Sequence, residues 1–300
     1  VTDSTATVLP DEHARWHVVG AGRMGTLAAF YLQSAGAKVT VVRPGEAHQR
    51  RVRLAFADAT IRDIELDVLP PADCGPVSRL LIASKTPYSA AALARVNLVE
   101  NAEVIRLQNG IGSLDGRLAS GQRLIEGVTA SAVMAADEAT LRVVAENTTT
   151  FGGGTRPPWF DPLAAHWPRL YWADDIRPVQ WRKLVVNAAL NPLTAIHDVP
   201  NGALLERADL QADMRALIDE ADALLARLDP RWPGDSHAAV AAVVRATAAN
   251  TSSMRADVQA GATTEIDAIN GWLLHRAAAL DMDLPTHRRI VDCVHALEPG

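Results

Sequence analysis

The stretch Trp16-His17-Val18-Val19-Gly20-Ala21-Gly22-Arg23-Met24-Gly25 decides the architecture of the first half of the chain. Four residues of buried-strand composition run straight into a GxGxxG turn. Thr26 to Ala35 then has helical composition, and Gly36 suits the left-handed residue that ends a helix. Lys38-Val39-Thr40-Val41-Val42 reads as a second strand, completing a β-turn-α-β unit. In that setting Gly20, Ala21, Gly22, Arg23, Met24 and Gly25 are expected to bind a dinucleotide. The glycines let the backbone approach a pyrophosphate, and the helix start offers N–H groups and positive dipole. The second strand ends in Arg43, where an NAD site usually carries Asp or Glu and an NADP site tolerates a cation, so NADPH/NADP+ is the expected cofactor.

Downstream, Arg79–Ala83 and Glu103–Leu107 read as buried strands, ending at Lys85 and at Asn109-Gly110. Open α/β sheets bind ligands just beyond the carboxyl ends of their strands, which makes both residues site candidates. Residues 54–57 and 61–66 read as a hairpin or irregular strands, and Arg50-Arg51-Val52-Arg53 as a solvated face. Residues 124–132, 141–144 and 148–151 read as further strands. The stretch 156–175, rich in Pro and Trp, reads as an irregular approach to a second domain. From residue 177 the pattern is helical, over 177–198, 208–228, 236–250, 264–281 and 286–297. The expected fold is an α/β Rossmann-type domain (15–174) followed by an all-α domain (175–300), preceded by a loose tail (1–14).

Within Trp181–Thr194, apolar on nearly every face, Lys183, Asn187 and Asn191 are spaced i, i+4, i+8 and form one polar line. Burying neutral polar groups without partners costs roughly 2–7 kcal/mol each, so the line either finds partners in a core or faces a ligand. Pro192 lacks an N–H and is expected to kink this helix, exposing main-chain polar groups to the cleft.

These residues carry a family resemblance. Trp181-x-Lys183 with Asn187, Asn191-Pro192-Leu193-Thr194-Ala195, Pro200-Asn201-Gly202, Asn250-Thr251-Ser252-Ser253-Met254 and Thr264-Glu265-Ile266-Asp267 with Asn270-Gly271 resemble the ketopantoate reductases. So do the glycine turn, Lys85 and Asn109-Gly110-Ile111-Gly112, in the family's order, from about residue 16 to 297. The resemblance implies NADPH-dependent reduction of 2-dehydropantoate to pantoate in pantothenate synthesis. It implies Lys183 as proton donor and substrate contacts at Asn109, Asn187, Asn191, Asn201, Asn250, Thr251, Ser252 and Ser253. It also implies cofactor contacts at Arg43, Lys85, Asn109 and Glu265. Lys85 is followed by Thr86-Pro87-Tyr88, where family members more often carry Ala or Ser, an aromatic and Gln or Asp.

The residue chemistry fits that role by itself. Hydride delivery to a ketone builds charge on oxygen, which a neighbouring ammonium can neutralise and protonate. Apolar neighbours desolvate a lysine and bring its pKa down toward the working range. A relative acting on another small 2-oxo acid would share these residues; a non-catalytic NADP(H) sensor would need only the glycine turn.

Bulk properties agree with a globular enzyme. The chain has 300 residues, 48% hydrophobic and 21% charged, with a net charge of −6. That balance, with no basic stripe, argues against nucleic acid as a partner. No apolar run reaches membrane-spanning length. Two distant cysteines fit a reducing cytoplasm, and the scattered histidines give no metal-ligand spacing. The expected partner is a small 2-oxo acid, and the expected assembly a monomer or homodimer.

Overall fold

The structure, a computed structural model, describes residues 15–298, so the expected tail at 1–14 lies outside the described residues. The chain forms two compact units. The first runs to Gln108 and resumes over Leu114–Ile176; the second takes Asn109–Ser113 and everything from Arg177. The five residues 109–113, read from sequence as part of the first domain, therefore belong to the second unit.

The first unit is built on one sheet with strands β1 (Trp16–Val19), β2 (Val39–Val42), β3 (His48–Phe56), β4 (Ile61–Leu69), β5 (Val77–Ile82), β6 (Leu98–Leu107), β7 (Arg123–Thr129), β8 (Ala132–Ala135), β9 (Thr140–Ala145), β10 (Thr149–Gly152) and β11 (Leu170–Ala173). Their order is β11-β10-β7-β6-β5-β1-β2-β4-β3-β9-β8. The six central strands from β4 to β7 are parallel and follow the doubly wound order, whose direction reverses between β1 and β5. Both faces of a parallel sheet are buried, and alternate residues serve opposite cores. Trp16, Val18, Leu81, Ile105 and Leu107 pack with helix α1 (Arg23–Ser34), whereas Val19, Leu80, Ile82 and Val104 pack with Leu93 of α2 (Thr86–Leu93).

Two segments depart from the sequence reading. Residues 48–69 form a regular antiparallel hairpin, β3 against β4, longer than expected. The stretch 156–175 is not irregular: it carries α3 (Phe160–Ala164) and β11, which pairs in parallel with β10. Its order comes from burial. Trp159, Phe160 and Trp167 lie in the core, and Trp159 meets Trp16 edge-on at 4.9 Å between ring centroids.

The second unit is helical: α4 (Arg177–Ile196), α5 (Ala203–Glu206), α6 (Ala208–Leu228), α7 (Ser236–Ala246), α8 (Ser253–Gln259), a π turn (Asp267–Gly271), α9 (Trp272–Ala278) and α10 (Pro285–His295). Helix α4 is its centre, with Leu184, Val185, Ala188, Ala189 and Leu193 all buried. Helix α7 stops at Ala246, four residues short of the expected end; α5 and α8 have no counterpart in the periodicity, and the helix expected over 264–281 opens as the π turn before α9. A buried carboxylate, Asp222, ties α6 to the turn before α7. It accepts from Trp232 Nε1 (2.8 Å), Ser236 N (3.0 Å) and Ser236 Oγ (2.7 Å). Among the described residues no helix is long and apolar enough to cross a membrane, and no group of three or more His, Cys, Asp or Glu is placed to hold a metal ion.

Candidate active site

In the first unit the carboxyl ends of β1 and β2 open onto a cleft of about 760 Å³. Gly20, Ala21 and Gly22 form one wall, Arg43 and Pro44 a second, and Tyr88, Ala92 and Arg95 of the α2 region a third. The left-handed backbone of Gly20 (φ +80°) brings the turn so close to β5 that a Cβ there would lie 2.2 Å from the main-chain nitrogen of Ser84. The turn residues thus divide. Gly20, Ala21 and Gly22 line the cleft, whereas Gly25 is buried and Met24 packs against the core. Arg23 is exposed outside the lining. Arg23, Met24 and Gly25, also expected at the cofactor, form the first turn of α1 and lie outside that lining.

Lys85 is half-buried at the start of α2, where its carbonyl accepts from Tyr88 N (3.0 Å) and Ser89 Oγ (3.2 Å). It is absent from the cleft lining, whose corner is made by Tyr88 and Arg95. Arg50, like Arg95, is a cation of this cleft that sequence reading missed. It lines the cleft and donates from Nη1 to the Ala21 carbonyl at 2.7 Å. Strand alternation carried the signal. Arg51 and Arg53 pair with Glu65 (2.5 Å) and Asp63 (2.9 Å) on the exposed face, so Arg50 shares the inward side with buried Val52 and Leu54.

In the second unit the polar line on α4 is a single face, Lys183 and Asn187 half-buried and Asn191 buried, each about 6 Å further along the axis. Loss of hydration pushes the Lys183 ammonium down to about 8, against the opposing pull of the Glu265 carboxylate. Glu265 Oε2 also accepts from Asn109 Nδ2 at 3.2 Å, so three predicted residues from distant parts of the sequence form one cluster. Glu265, expected beside the cofactor, has these neighbours within its own unit. Asn109 is held there by the next two residues. Ile111 N donates to the Ala268 carbonyl at 2.9 Å, and Gly110 lies so near that a Cβ would stand 2.2 Å from the Ala268 Cβ.

The remaining candidates separate by role. Asn201 is buried, donates from Nδ2 to Thr247 Oγ1 at 3.0 Å and from its backbone to the Asn250 carbonyl at 3.1 Å. Asn250, Thr251 and Ser253 are exposed. Ser252, expected at the substrate, caps α8: it is buried, and its Oγ accepts from Arg255 N (3.1 Å) and from Thr194 Oγ1 (2.7 Å). The kink expected at Pro192 does not bare its neighbours to a cleft. Helix α4 runs through Pro192, and the Ala188 carbonyl is taken by buried Asn270, which sequence reading assigned no role.

A doubly wound sheet with a glycine turn and a cationic cleft, joined to a helical unit bearing a desolvated lysine, is the make-up of a nucleotide-dependent oxidoreductase. Residues 16–155 match the model of the ketopantoate reductase PanE/ApbA family, and residues 175–298 match its C-terminal model. The chain belongs to this family. It is 31% identical over 300 residues to the 2-dehydropantoate 2-reductase of Vibrio cholerae, covering 94% of this chain and 97% of that one. A structure of a probable 2-dehydropantoate 2-reductase from Bacillus subtilis superposes with a TM-score of 0.79 at 26% identity, covering 95% and 100% of the two chains. The fold is also that of a D-mandelate dehydrogenase solved with NADH and anilino(oxo)acetate, with a TM-score of 0.82 at 18% identity over 94% of this chain and 98% of that one.

Proposed function

We propose that this chain reduces 2-dehydropantoate to pantoate with NADPH, with Lys183 as the proton donor. The observation that carries the reading is the Lys183 ammonium, brought to about 8 by desolvation and set beside Glu265 and Asn109 on the face that presents Asn187 and Asn191. A glycine turn at the end of β1 and the guanidinium groups of Arg43, Arg50 and Arg95 fit an anionic dinucleotide. When bound, NADPH supplies the hydride to the ketone carbon.

The protein's part is acid catalysis and positioning. As the C=O π pair moves onto oxygen, the Lys183 N–H proton passes to that oxygen, leaving a neutral amine that regains its proton from solvent. A lysine near 8 gives up a proton more readily than one near 10.5 yet remains mostly protonated at neutral pH. Glu265 limits the downward shift, keeping the acid charged before the reaction. Asn187 and Asn191 offer both donors and acceptors, suited to the hydroxyl and carboxylate of a small 2-oxo acid. A pure NADP(H) sensor has no use for this line.

The test is steady-state NADPH oxidation with 2-dehydropantoate beside a panel of 2-oxo acids that includes phenylglyoxylate. Preference for 2-dehydropantoate in kcat/KM is expected. Faster turnover of an aromatic 2-oxo acid would move the substrate assignment toward the mandelate type, and tight NADPH binding without turnover would leave a sensor.

A further inference from the structure

The cleft at the glycine turn contains more positive charge than one phosphate reader requires. Among the described residues, Arg43, Arg50 and Arg95 line it together with a single carboxylate, Glu138. Arg50 is half-buried and reaches the site from β3, a strand that follows the β-turn-α-β unit. One of its nitrogens donates to the Ala21 carbonyl at 2.7 Å, an oxygen that also accepts from Thr26 Oγ1 at 3.1 Å. A guanidinium has five N–H donors, so this bond leaves others available.

We infer that Arg50 is a second determinant of NADPH over NADH, bracing the glycine turn through Ala21 while sharing the 2′-phosphate of the cofactor with Arg43. The inference rests on the proposed use of NADPH. Arg43 stands at the end of β2, where the adenosine ribose of a dinucleotide lies in doubly wound folds, and Arg50 lines the same cleft beside the turn. Desolvation and the neighbouring Arg43 both push Arg50 below its ordinary value. Two guanidiniums that repel each other across one cleft are relieved by an anion of about two charges, as a phosphomonoester is. A single 2′-hydroxyl offers no such relief. The hydrogen bond to Ala21 also explains how a residue from the hairpin keeps its orientation when the cleft is open to solvent. The guanidinium is anchored at one nitrogen and presents the rest of its fork.

The experiment is isothermal titration calorimetry of the full chain with 2′,5′-ADP and with 5′-AMP, fragments that need no turnover. Arg50→Gln should weaken 2′,5′-ADP by about 10- to 100-fold, the worth of a hydrogen bond to a charged group, and 5′-AMP by less than about 3-fold. Arg43→Ala should show the same selectivity, and the double variant should bind the two fragments alike. Equal losses for both fragments in Arg50→Gln would reduce Arg50 to a brace for the turn and overturn the inference, as would no loss at all. Should Arg50→Gln fail to fold by circular dichroism, Arg50→Lys carries the test. Lysine keeps the charge without the fork, so an intermediate, 2′-phosphate-selective loss is expected, and an unselective loss or none overturns the inference. A wild-type chain that prefers 2′,5′-ADP yet does not reduce 2-dehydropantoate would remove the proposed substrate and leave Arg50's role standing. A wild type with no preference would remove NADPH and this inference together.

Discussion

Asn270 supplies to helix α4 the hydrogen bond that Pro192 cannot make. Proline has no N–H for the carbonyl four residues back, which is that of Ala188, and Asn270 Nδ2 donates to that oxygen at 3.0 Å. The same amide donates to His287 Nδ1 at 3.0 Å, and His287 Nε2 donates to the Leu217 carbonyl at 3.0 Å. The chain fixes the histidine as its neutral Nε2–H tautomer and joins the π turn, α10 and α6 to the middle of α4.

Asn270→Ala should therefore cost roughly 1–3 kcal/mol, because the Ala188 carbonyl and His287 Nδ1 lose their donor in a buried place. Adding Pro192→Ala restores a main-chain N–H beneath Ala188 and should recover part of that loss. Urea unfolding of both single variants and the double gives the coupling. Additivity within about 0.3 kcal/mol would mean that the two residues do not share the carbonyl.

His287 makes the second unit sensitive to mild acid. Burial holds its pKa below the ordinary 6.5, against the opposing charge of Glu220. The unfolded chain thus takes up a proton near pH 6.5 that the folded one refuses, so stability falls as pH drops below that value and recovers above it. Melting temperature measured from pH 7 to pH 5 should decline in the native chain and flatten in His287→Gln. A variant as acid-sensitive as the parent would assign the effect to another group.

Lys183→Ala should lower kcat by about 10²- to 10⁴-fold while leaving NADPH affinity nearly intact, the scale of a general acid. In the native enzyme kcat should fall as pH rises through about 8, where Lys183 loses its proton. Glu265→Gln removes the group that holds the lysine up, so its descending limb should move to lower pH. Retention of more than about a tenth of kcat in Lys183→Ala would exclude the lysine as acid.

Gly110→Ala places a Cβ within 2.2 Å of the Ala268 Cβ and 2.8 Å of its carbonyl oxygen, so segment 109–113 must shift. Asn109 then loses its seat against Glu265, and kcat/KM should drop at least about tenfold, with about 1–3 kcal/mol of stability lost to overpacking. Ala268→Gly in the same chain removes the nearer obstacle and should return part of both. Wild-type kinetics in Gly110→Ala would show that the approach is not tight in solution.

What could be read from sequence was what local spacing encodes. The glycine turn between two apolar runs specifies a strand-turn-helix by itself, and an i, i+4, i+8 line on an apolar helix survives any tertiary arrangement. The missed features depend on partners far along the chain. Arg50 becomes part of the cleft only because β3 brings it to Ala21, 29 residues away. The stretch 156–175 holds little periodicity, and its strand and helix are set by where Trp159 and Trp167 are buried. Asn270 looks like half of an Asn-Gly turn until the Ala188 carbonyl, 82 residues earlier, is placed opposite it.

The assignment of residues 109–113 to the helical unit bears on any attempt to dissect the gene. Cutting between Ile176 and Arg177 follows the obvious seam, yet the downstream fragment would leave a five-residue piece of its own behind: Ala268 would lack the N–H of Ile111, and Glu265 the amide of Asn109. The upstream fragment would carry those five residues without the Ala268 carbonyl and the Glu265 carboxylate that hold them. The helical half is thus discontinuous in sequence, and a faithful excision would graft 109–113 onto it through a new linker.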